Sequence, residues 1–214
     1  RAERYPRKVC EKSQPLACRY FMKGCRPLTK SETERVLAHL TSDEDLGVRN
    51  ATFFTLGLNT GFRVTELLSL TVGDVLQHGT IVDSVAVRRC AMKGKGEGRT
   101  VRLNAKAKLA VAAWLSALQV WGCQDDTPLF CSRARKRISR IQVWRMFDTA
   151  FAAIGLTGTL GTHCMRKTYA ERMYDLLGGD LKQLQGALGH KWITSTSQYL
   201  SFKEDRINAA IDLL

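Results

Sequence analysis

Hydrophobic residues recur at helical spacing through most of the chain, beginning in the segment PLTKSETERVLAHL. Thr29 or Ser31 can cap a helix there, and acidic residues fill the first turn. Val36, Leu37 and Leu40 then form an apolar stripe. The combination predicts a helix, and we expect a folded domain to begin at about residue 27.

The same patterns predict further helices and one β-hairpin. An apolar run in GVRNATFFTLGLNTG ends at Asn59 and Gly61, and a third helix begins almost at once in RVTELLSL. Two β-branched runs, IVDSVAVRRCAM and RTVRL, flank the turn-forming KGKGEG, which carries Lys93 and Lys95. Helical spacing returns in KAKLAVAAWLSALQVW, SRIQVWRMFDTAFAAIGL, THCMRKTYAERMYDLL, DLKQLQGALG and KEDRINAAIDLL. We predict a mainly α fold with a small antiparallel β-sheet, an α+β class.

Composition adds a partner class to this picture of a single domain. The 214 residues include 33 Lys and Arg against 20 Asp and Glu, a net charge of +13, which favours a polyanionic partner. Residues 1–26 are basic and lack a sustained period, so we interpret them as a tail or linker end and residues 27–214 as one domain.

Cysteine usage and hydropathy narrow the cellular setting. The seven cysteines form no CxxC pair or Cys/His cluster, which predicts reduced thiols and no metal site. No apolar run approaches the roughly 20 residues that a membrane span needs, and no secretory signal opens the chain. We therefore expect a cytoplasmic protein without a membrane partner.

The segment NTGFRVTELLSL contains a charged pair at a helix start. Arg63 follows a glycine turn, and Glu66 lies one turn further on the same side, so Glu66 can hold Arg63. An exposed pair of this spacing contributes under about 1 kcal/mol, and for the pair taken alone that structural interpretation is favoured.

The segment THCMRKTYAERM places His163 and Arg166 three positions apart, on one helical face, with Thr162 as a cap. An arginine presents a fork of donors that matches two phosphate oxygens, and a histidine transfers protons near neutral pH. The pattern suits a phosphate site, although HxxR alone is common by chance.

The segment LGHKWITSTSQYL supplies two more polar side chains. Gly189 is expected to end a helix and to expose His190, and Tyr199 follows nine positions later. A phenol, with a pKa of about 10, becomes a useful nucleophile only where cations stabilise the phenolate and the attacked group. Taken alone, Tyr199 is better explained as a half-buried residue that caps a helix junction.

Taken together, these motifs resemble the catalytic domain of the tyrosine site-specific recombinases, the phage-integrase family. The resemblance rests on TGFRVTELLSL, KGKGEGRTVRL, HCMRKTYA and LGHKWITSTSQY in this order, and it extends from Pro27 to Leu214. It implies that Arg63 and Arg166 clamp the non-bridging oxygens of a scissile DNA phosphate. It also implies that His163 and His190 assist by hydrogen bonding and proton transfer, while Glu66 orients the arginine.

The resemblance further implies that Tyr199 attacks the phosphorus and forms a 3′-phosphotyrosyl bond with a free 5′ hydroxyl. Lys95 would protonate the leaving oxygen, with Lys93 as the competing choice, and no ATP, metal or other cofactor would be needed. Lys167 replaces the last histidine of the family's His-x-Leu-Arg-His pattern and keeps a donor for DNA. Arg102 stands where a proline is frequent, which leaves the lysine assignment open.

A basic segment, SRARKRISRIQVWRMF, is the main candidate for DNA contact outside the catalytic set. Ser139 is expected to cap a helix whose N-terminus would meet phosphates together with the basic side chains. Arg140 or Gln142 would reach base edges. The basic side chains are Arg133, Arg135, Lys136, Arg137 and Arg140.

The family resemblance implies double-stranded DNA as partner and a homo-tetramer on two duplexes, with the segment after Tyr199 docking on a neighbouring subunit. It also implies accessory DNA-bending proteins and a place at the nucleoid, as for mobile genetic elements. Most such recombinases carry a preceding helical domain. Because about 26 residues precede the pattern here, the chain is either part of a longer protein or similar to minimal recombinases such as the fimbrial-switch invertases.

Three alternative functions remain open at this point. A type IB topoisomerase or telomere resolvase uses similar residues without exchanging strands, and a catalytically idle DNA-binding accessory protein keeps the fold alone. A nuclease is the third, but the sequence shows no carboxylate cluster suited to two Mg²⁺ ions. The intact set of arginines, histidines and tyrosine favours the recombinase.

Overall fold

A computed structural model describes residues 24–87, 99–200 and 211–212, and within these ranges the chain is mainly helical with short antiparallel strands. The predicted fold class is confirmed. The helices are α1 (Lys30–Thr41), α2 (Gly47–Thr60), α3 (Val64–Ser69), α4 (Val72–Val75), α5 (Ala105–Val120), α6 (Arg140–Ala153), α7 (Cys164–Leu176), α8 (Leu181–Leu188) and α9 (Ile193–Ser197). The strands are β1 (Leu76–Gln77), β2 (Thr80–Ile81), β3 (Ser84–Val87) and β4 (Arg99–Arg102).

Helix α1 begins at the predicted cap. The Thr29 hydroxyl accepts from the Glu32 N–H, and the Glu32 carboxylate accepts from the Thr29 N–H at 2.9 Å, which completes a capping box. Arg26 donates to the same carboxylate at 2.8 and 2.5 Å and to the Thr157 carbonyl. The bonds from Arg26 lower the pKa of Glu32 to about 2. Arg26, on the tail side of the predicted domain boundary, therefore packs onto the domain.

Helix α2 is the central helix and packs against α1, α5 and α7. Its predicted apolar run is buried, with Phe53 and Phe54 at most 1% exposed. The helix ends at Gly61, which has a left-handed φ of 61°. A Cβ on Gly61 would lie 2.4 Å from the Tyr169 ring, so both the backbone and the packing require glycine here.

The predicted hairpin forms in the described part of the chain, where β3 pairs antiparallel with β4 and Val87 lies opposite Arg99. The loop of residues 88–98, with Lys93 and Lys95, falls outside the described residues, as does nearly all of the predicted C-terminal helix. A second pair, β1 with β2, was not predicted. Strands of two residues are too short to show an alternating pattern. The helices α4 and α9, which were not predicted either, are too short to show a repeated helical spacing.

Helices α7 and α8 carry the second half of the predicted motifs. The Thr162 cap is wrong, because His163 occupies the N-cap position with helical backbone angles and no side-chain cap bond. Helix α8 is capped by Asp180 at its start and ends at Gly189, with a left-handed φ of 62°. Leu184 and Leu188 join Tyr169 of α7 in a small apolar cluster apart from the main core.

No described helix has both the length and the apolar character that crossing a membrane requires.

Candidate active site

The buried carboxylate of Glu66 is the centre of a charged cluster. It is fully buried and accepts hydrogen bonds from the Arg63 backbone N–H at 2.9 Å and from Arg63 Nη1 at 2.6 Å. Arg99 Nη2 lies 3.4 Å and Arg166 Nη1 3.9 Å from its second oxygen. The interpretation of Arg63 and Glu66 as a surface pair is therefore wrong, since three arginines share one buried carboxylate.

The charges of this cluster do not balance. Burial by itself raises the pKa of Glu66, but the Arg63 N–H and the guanidinium groups of Arg99, Arg63 and Arg166 outweigh it and lower that pKa, so the carboxylate is ionised. Three guanidinium groups facing one carboxylate leave two positive charges uncompensated among these four residues. The site is therefore suited to bind an anion.

Arg166 is held from several sides, as α7 projects it between the end of α2 and the end of α8. It is 1% exposed, and it donates to the carbonyls of Gly61 and, at 2.7 Å, Leu188. Burial and the positive charges of Arg63 and Arg99 lower the pKa of Arg166 to about 10, so it stays charged at neutral pH. Backbone carbonyls thus fix the guanidinium plane before any ligand binds.

His190 is buried, at 9% exposure, whereas the sequence predicted an exposed ring. Gly189 does end the helix, but the turn directs the ring inward, with Nε2 3.0 Å from Arg166 Nη2 and Nδ1 3.0 Å from the Thr196 hydroxyl. Because a guanidinium only donates, Nε2 accepts and the proton is on Nδ1. Burial and the charges of Arg166 and Arg63 lower the pKa of His190 to about 4.

We expect His190 to titrate with a midpoint of about 4 in the free protein. Its folded pKa lies below the unfolded value of about 6.5. The stability it contributes is therefore complete above pH about 6.5 and declines as the pH falls from there toward 4. NMR titration of the imidazole carbon resonances measures the midpoint, with His190→Gln assigning the signal. A midpoint close to 6.5 would contradict the neutral, acceptor role of Nε2.

Tyr199 lies against this group of residues. Its ring centroid is 5.0 Å from that of His190 and 5.6 Å from the Arg166 guanidinium carbon. The short helix α9 ends just before it, and the Tyr199 N–H donates to the Thr196 carbonyl at 2.9 Å. The structure thus brings together five sequence-predicted residues, namely Arg63, Glu66, Arg166, His190 and Tyr199.

His163 lies at the edge of the cluster. It is exposed at the start of α7. The part of the ring that is covered, together with the positive charges of Arg166 and Arg63, lowers the pKa of His163. A neutral imidazole at neutral pH can accept a proton. Lys93 and Lys95 fall outside the described residues, but the hairpin returns from its loop at Arg99, inside the cluster.

The predicted DNA-contact residues differ in exposure. The basic loop is a turn in which the Ser132 N–H donates to the Lys136 carbonyl at 2.8 Å. Arg133 forms an ion pair with Asp45, and Gln142 completes a capping box by accepting from the Ser139 N–H at 2.8 Å. Lys167 is 6% exposed, so its ammonium group is not at the open surface. The exposed members are Arg133, Arg135, Lys136, Arg137, Arg140 and Gln142.

Arg99 was not among the predicted site residues. The burial of β4 alternates, with Arg99 and Val101 on the inner side and Thr100 and Arg102 exposed. An arginine on the inner face of an alternating strand is the signal in the sequence that identifies it. That signal is weak, because strand residues 99–102 contain arginine on both faces.

Known proteins are similar to this chain in sequence over most of its length. The sequence matches the phage integrase family over residues 26–206. It is 30% identical over 178 residues to the tyrosine recombinase XerC of Thermodesulfovibrio yellowstonii, covering 80% of this chain and 56% of that protein. The chain spans about half the length of the curated relatives it matches.

Two solved structures share the fold. The crystal structure of the XerA recombinase aligns with a TM-score of 0.71 at 23% identity, covering 89% of this chain and 66% of that one. The XerH site-specific recombinase bound to a palindromic difH substrate, in a post-cleavage complex, aligns with a TM-score of 0.71 at 24% identity, covering 86% of this chain and 51% of that one. Since the family match extends over most of the sequence, this chain belongs to the phage integrase family.

Proposed function

We propose that this chain is the catalytic domain of a site-specific DNA recombinase, which cleaves and rejoins DNA strands through a 3′-phosphotyrosyl intermediate. The observation that carries the proposal is the Tyr199 ring beside the Arg166 guanidinium, in a buried cluster with surplus positive charge. Such a cluster is matched to a phosphodiester and not to a neutral substrate. The name of the matching relative, a tyrosine recombinase, supports the same reaction class.

The proposed reaction is an in-line displacement at phosphorus. The Tyr199 oxygen attacks, the bond to the 5′ oxygen breaks, and that oxygen takes up a proton to become a free hydroxyl. The transition state carries about one more negative charge on its non-bridging oxygens than the phosphodiester does. The two surplus positive charges of the site match the total of about two negative charges in the transition state, and so stabilise it more than the singly charged phosphodiester.

Each polar group is assigned the role that its contacts allow. Arg63 and Arg166 bind the non-bridging oxygens. His190 orients Arg166, because both of its ring nitrogens are already engaged. His163 is the acceptor for the tyrosine proton, since it is exposed beside the cluster. A lysine of the hairpin loop, Lys95 or Lys93, protonates the leaving oxygen.

The partner we propose is double-stranded DNA, held along the exposed side chains of the basic loop and the start of α6. Residues 27–214 would act as the catalytic unit of a homo-tetramer on two duplexes, with the segment after Tyr199 reaching a neighbouring subunit. Accessory DNA-bending proteins and action at the nucleoid complete the proposal, in keeping with integrases of mobile elements.

A nicked suicide substrate tests this function. The protein is incubated in EDTA with duplexes from the DNA flanking its gene, each nicked beside a trial cleavage position so that the short 5′ end diffuses away. We expect a covalent protein–DNA band on a denaturing gel, and peptide mapping should place the DNA on Tyr199. The matched control is the same duplex without the nick, on which religation keeps the adduct from accumulating.

Three outcomes would count against the recombinase. Bound DNA with no adduct supports the idle DNA-binding alternative. Cleavage that requires a divalent metal and leaves no protein attached to the DNA supports the nuclease. Adduct formation followed only by religation of the same strand, when two sites are supplied, points to a topoisomerase.

A further inference from the structure

Arg99 enters the site from the hairpin and touches three different elements. Its side chain is 10% exposed. Nη1 donates to the Ala187 carbonyl at 2.7 Å, in the last turn of α8. Nη2 donates to the Gly61 carbonyl at 3.3 Å and to Glu66 at 3.4 Å, and the guanidinium carbon lies 5.1 Å from the centroid of the Phe62 ring. One side chain thus connects β4 with the α2–α3 turn, α3 and the end of α8.

Arg99 shares its acceptors with Arg166. The Gly61 carbonyl accepts from both guanidinium groups, and both groups face the same Glu66 oxygen. The carbonyls of Ala187 and Leu188, which are consecutive, accept from Arg99 and Arg166 respectively. A displacement of Arg99 therefore changes the frame that fixes Arg166.

Arg99 also packs against the turn that orients His190. Gly189 adopts a left-handed φ of 62°, and a Cβ at this position would lie 2.9 Å from Arg99 Cδ. Glycine is thus required both by the backbone and by the closeness of Arg99. The next residue is His190, whose ring holds Arg166, so Arg99 supports the second contact of that arginine as well.

Arg99 differs from the two arginines assigned to the phosphate in what it contacts. Arg63 is more exposed, with 25% of its side chain accessible against 10% for Arg99. Arg166 lies 5.6 Å from the Tyr199 ring, whereas the contacts of Arg99 are with two carbonyls, the Glu66 carboxylate and the Phe62 ring. A group in this position acts through its neighbours. It also starts β4, directly after the loop that carries the two candidate lysines.

We propose that Arg99 is a positioning residue that fixes Arg166 and His190 for DNA cleavage and ties their placement to the lysine-bearing hairpin. The inference rests on the proposed recombinase function for its kinetic part. It requires no contact between Arg99 and the DNA. Residues that orient catalytic groups in this way change activity by about 10- to 100-fold when they are replaced.

The test compares Arg99→Met and Arg99→Lys with Arg102→Met, a matched control on the same strand whose side chain is exposed. The rate of adduct formation is measured at saturating nicked DNA, and the Kd for DNA by fluorescence anisotropy. We expect Arg99→Met to cleave about 10- to 100-fold more slowly with a Kd within about threefold of wild type. Arg102→Met should match wild type, and Arg99→Lys should recover only part of the rate, because an ammonium group cannot reproduce the planar fork.

The NMR titration of His190 provides a readout that does not depend on activity. The positive charge of Arg99 contributes to the lowered pKa of His190, so that pKa should rise in Arg99→Met and stay low in Arg99→Lys. If wild type forms no adduct on any DNA, the recombinase proposal fails, while the titration still decides whether Arg99 acts on His190.

Two results would overturn the role of Arg99. The first is a wild-type cleavage rate in Arg99→Met at saturating DNA, and if the rate then falls short only at low DNA concentration, Arg99 is a DNA-affinity residue. The second is a His190 titration that is the same in Arg99→Met and wild type. Thermal unfolding of each variant establishes that the comparison is made on folded protein, and Arg99→Lys keeps the test decisive where Arg99→Met does not fold.

Discussion

Replacing Tyr199 with phenylalanine is expected to abolish the covalent protein–DNA adduct, lowering its rate of formation by about 10⁴-fold or more. The substitution removes the phenolic oxygen, which is the attacking atom in the proposed reaction. The ring itself remains, and with it the packing on His190 and Arg166 at 5.0 and 5.6 Å. DNA affinity should therefore change little. The nicked substrate assay measures the adduct, and fluorescence anisotropy measures binding.

Tyr174→Phe is the matched control for this experiment. Tyr174 is a partly buried tyrosine that packs on the same small apolar cluster as Tyr199. Its substitution removes a hydroxyl from the same region of the fold, so it should leave the adduct unchanged. An adduct that persists in Tyr199→Phe would reject Tyr199 as the nucleophile, and loss of the adduct in both variants would indicate damage to the fold instead.

Replacing Glu66 with glutamine is expected to lower the free energy of unfolding by about 3–5 kcal/mol and to reduce cleavage strongly. The substitution removes the carboxylate on which Arg63, Arg99 and Arg166 converge. Their positive charges, two of them buried, would then repel one another without compensation, and the amide N–H groups of glutamine would face guanidinium donors. Urea denaturation at pH 7 measures the stability loss.

Glu32→Gln is a closely matched control. Glu32 and Glu66 both occupy the third position of a helix, both accept from the backbone N–H of a capping residue, and both pair with an arginine. They differ in burial, because the Glu32 side chain is 18% exposed and that of Glu66 is fully buried. We expect Glu32→Gln to cost no more than about 2 kcal/mol. Equal losses in the two variants would show that the shared capping contact, and not the buried arginine cluster, dominates.

Much of the fold could be predicted because its signals are local. The capping box at Thr29 and Glu32 and the left-handed glycines at positions 61 and 189 each depend on residues within a few positions. The hairpin followed from two β-branched runs about a turn. The elements that were missed, α4, α9 and the β1–β2 pair, have two to five residues, which is too short for a helical or alternating pattern to repeat clearly.

The sequence predicted which residues belong to the candidate site, but it did not predict how deeply they are buried. The family resemblance selected Arg63, His163, Arg166, His190 and Tyr199, with Glu66 orienting the arginine. The sequence nevertheless predicted an exposed His190, and for Arg63 and Glu66 taken alone it favoured a surface pair. His190 and Glu66 are both buried, because the end of α8 packs beside the α2–α3 turn. Burial determines their electrostatics, and the order of motifs along the chain carries no information on it.

The sequence by itself determined the longer helices, the caps at Thr29 and Ser139 and the order of the chemical groups, since these depend on side chains close together in the chain. Only the tertiary structure decided that Glu66 is shared by three arginines and that Arg99 joins the hairpin to the site. Two arginines, Arg99 and Arg166, meet the carbonyls of Gly61 and Leu188 at one place in the fold. Gly61 and Leu188 are 127 positions apart in the chain. Such a meeting is fixed by how helices pack around the core, and no local pattern encodes it.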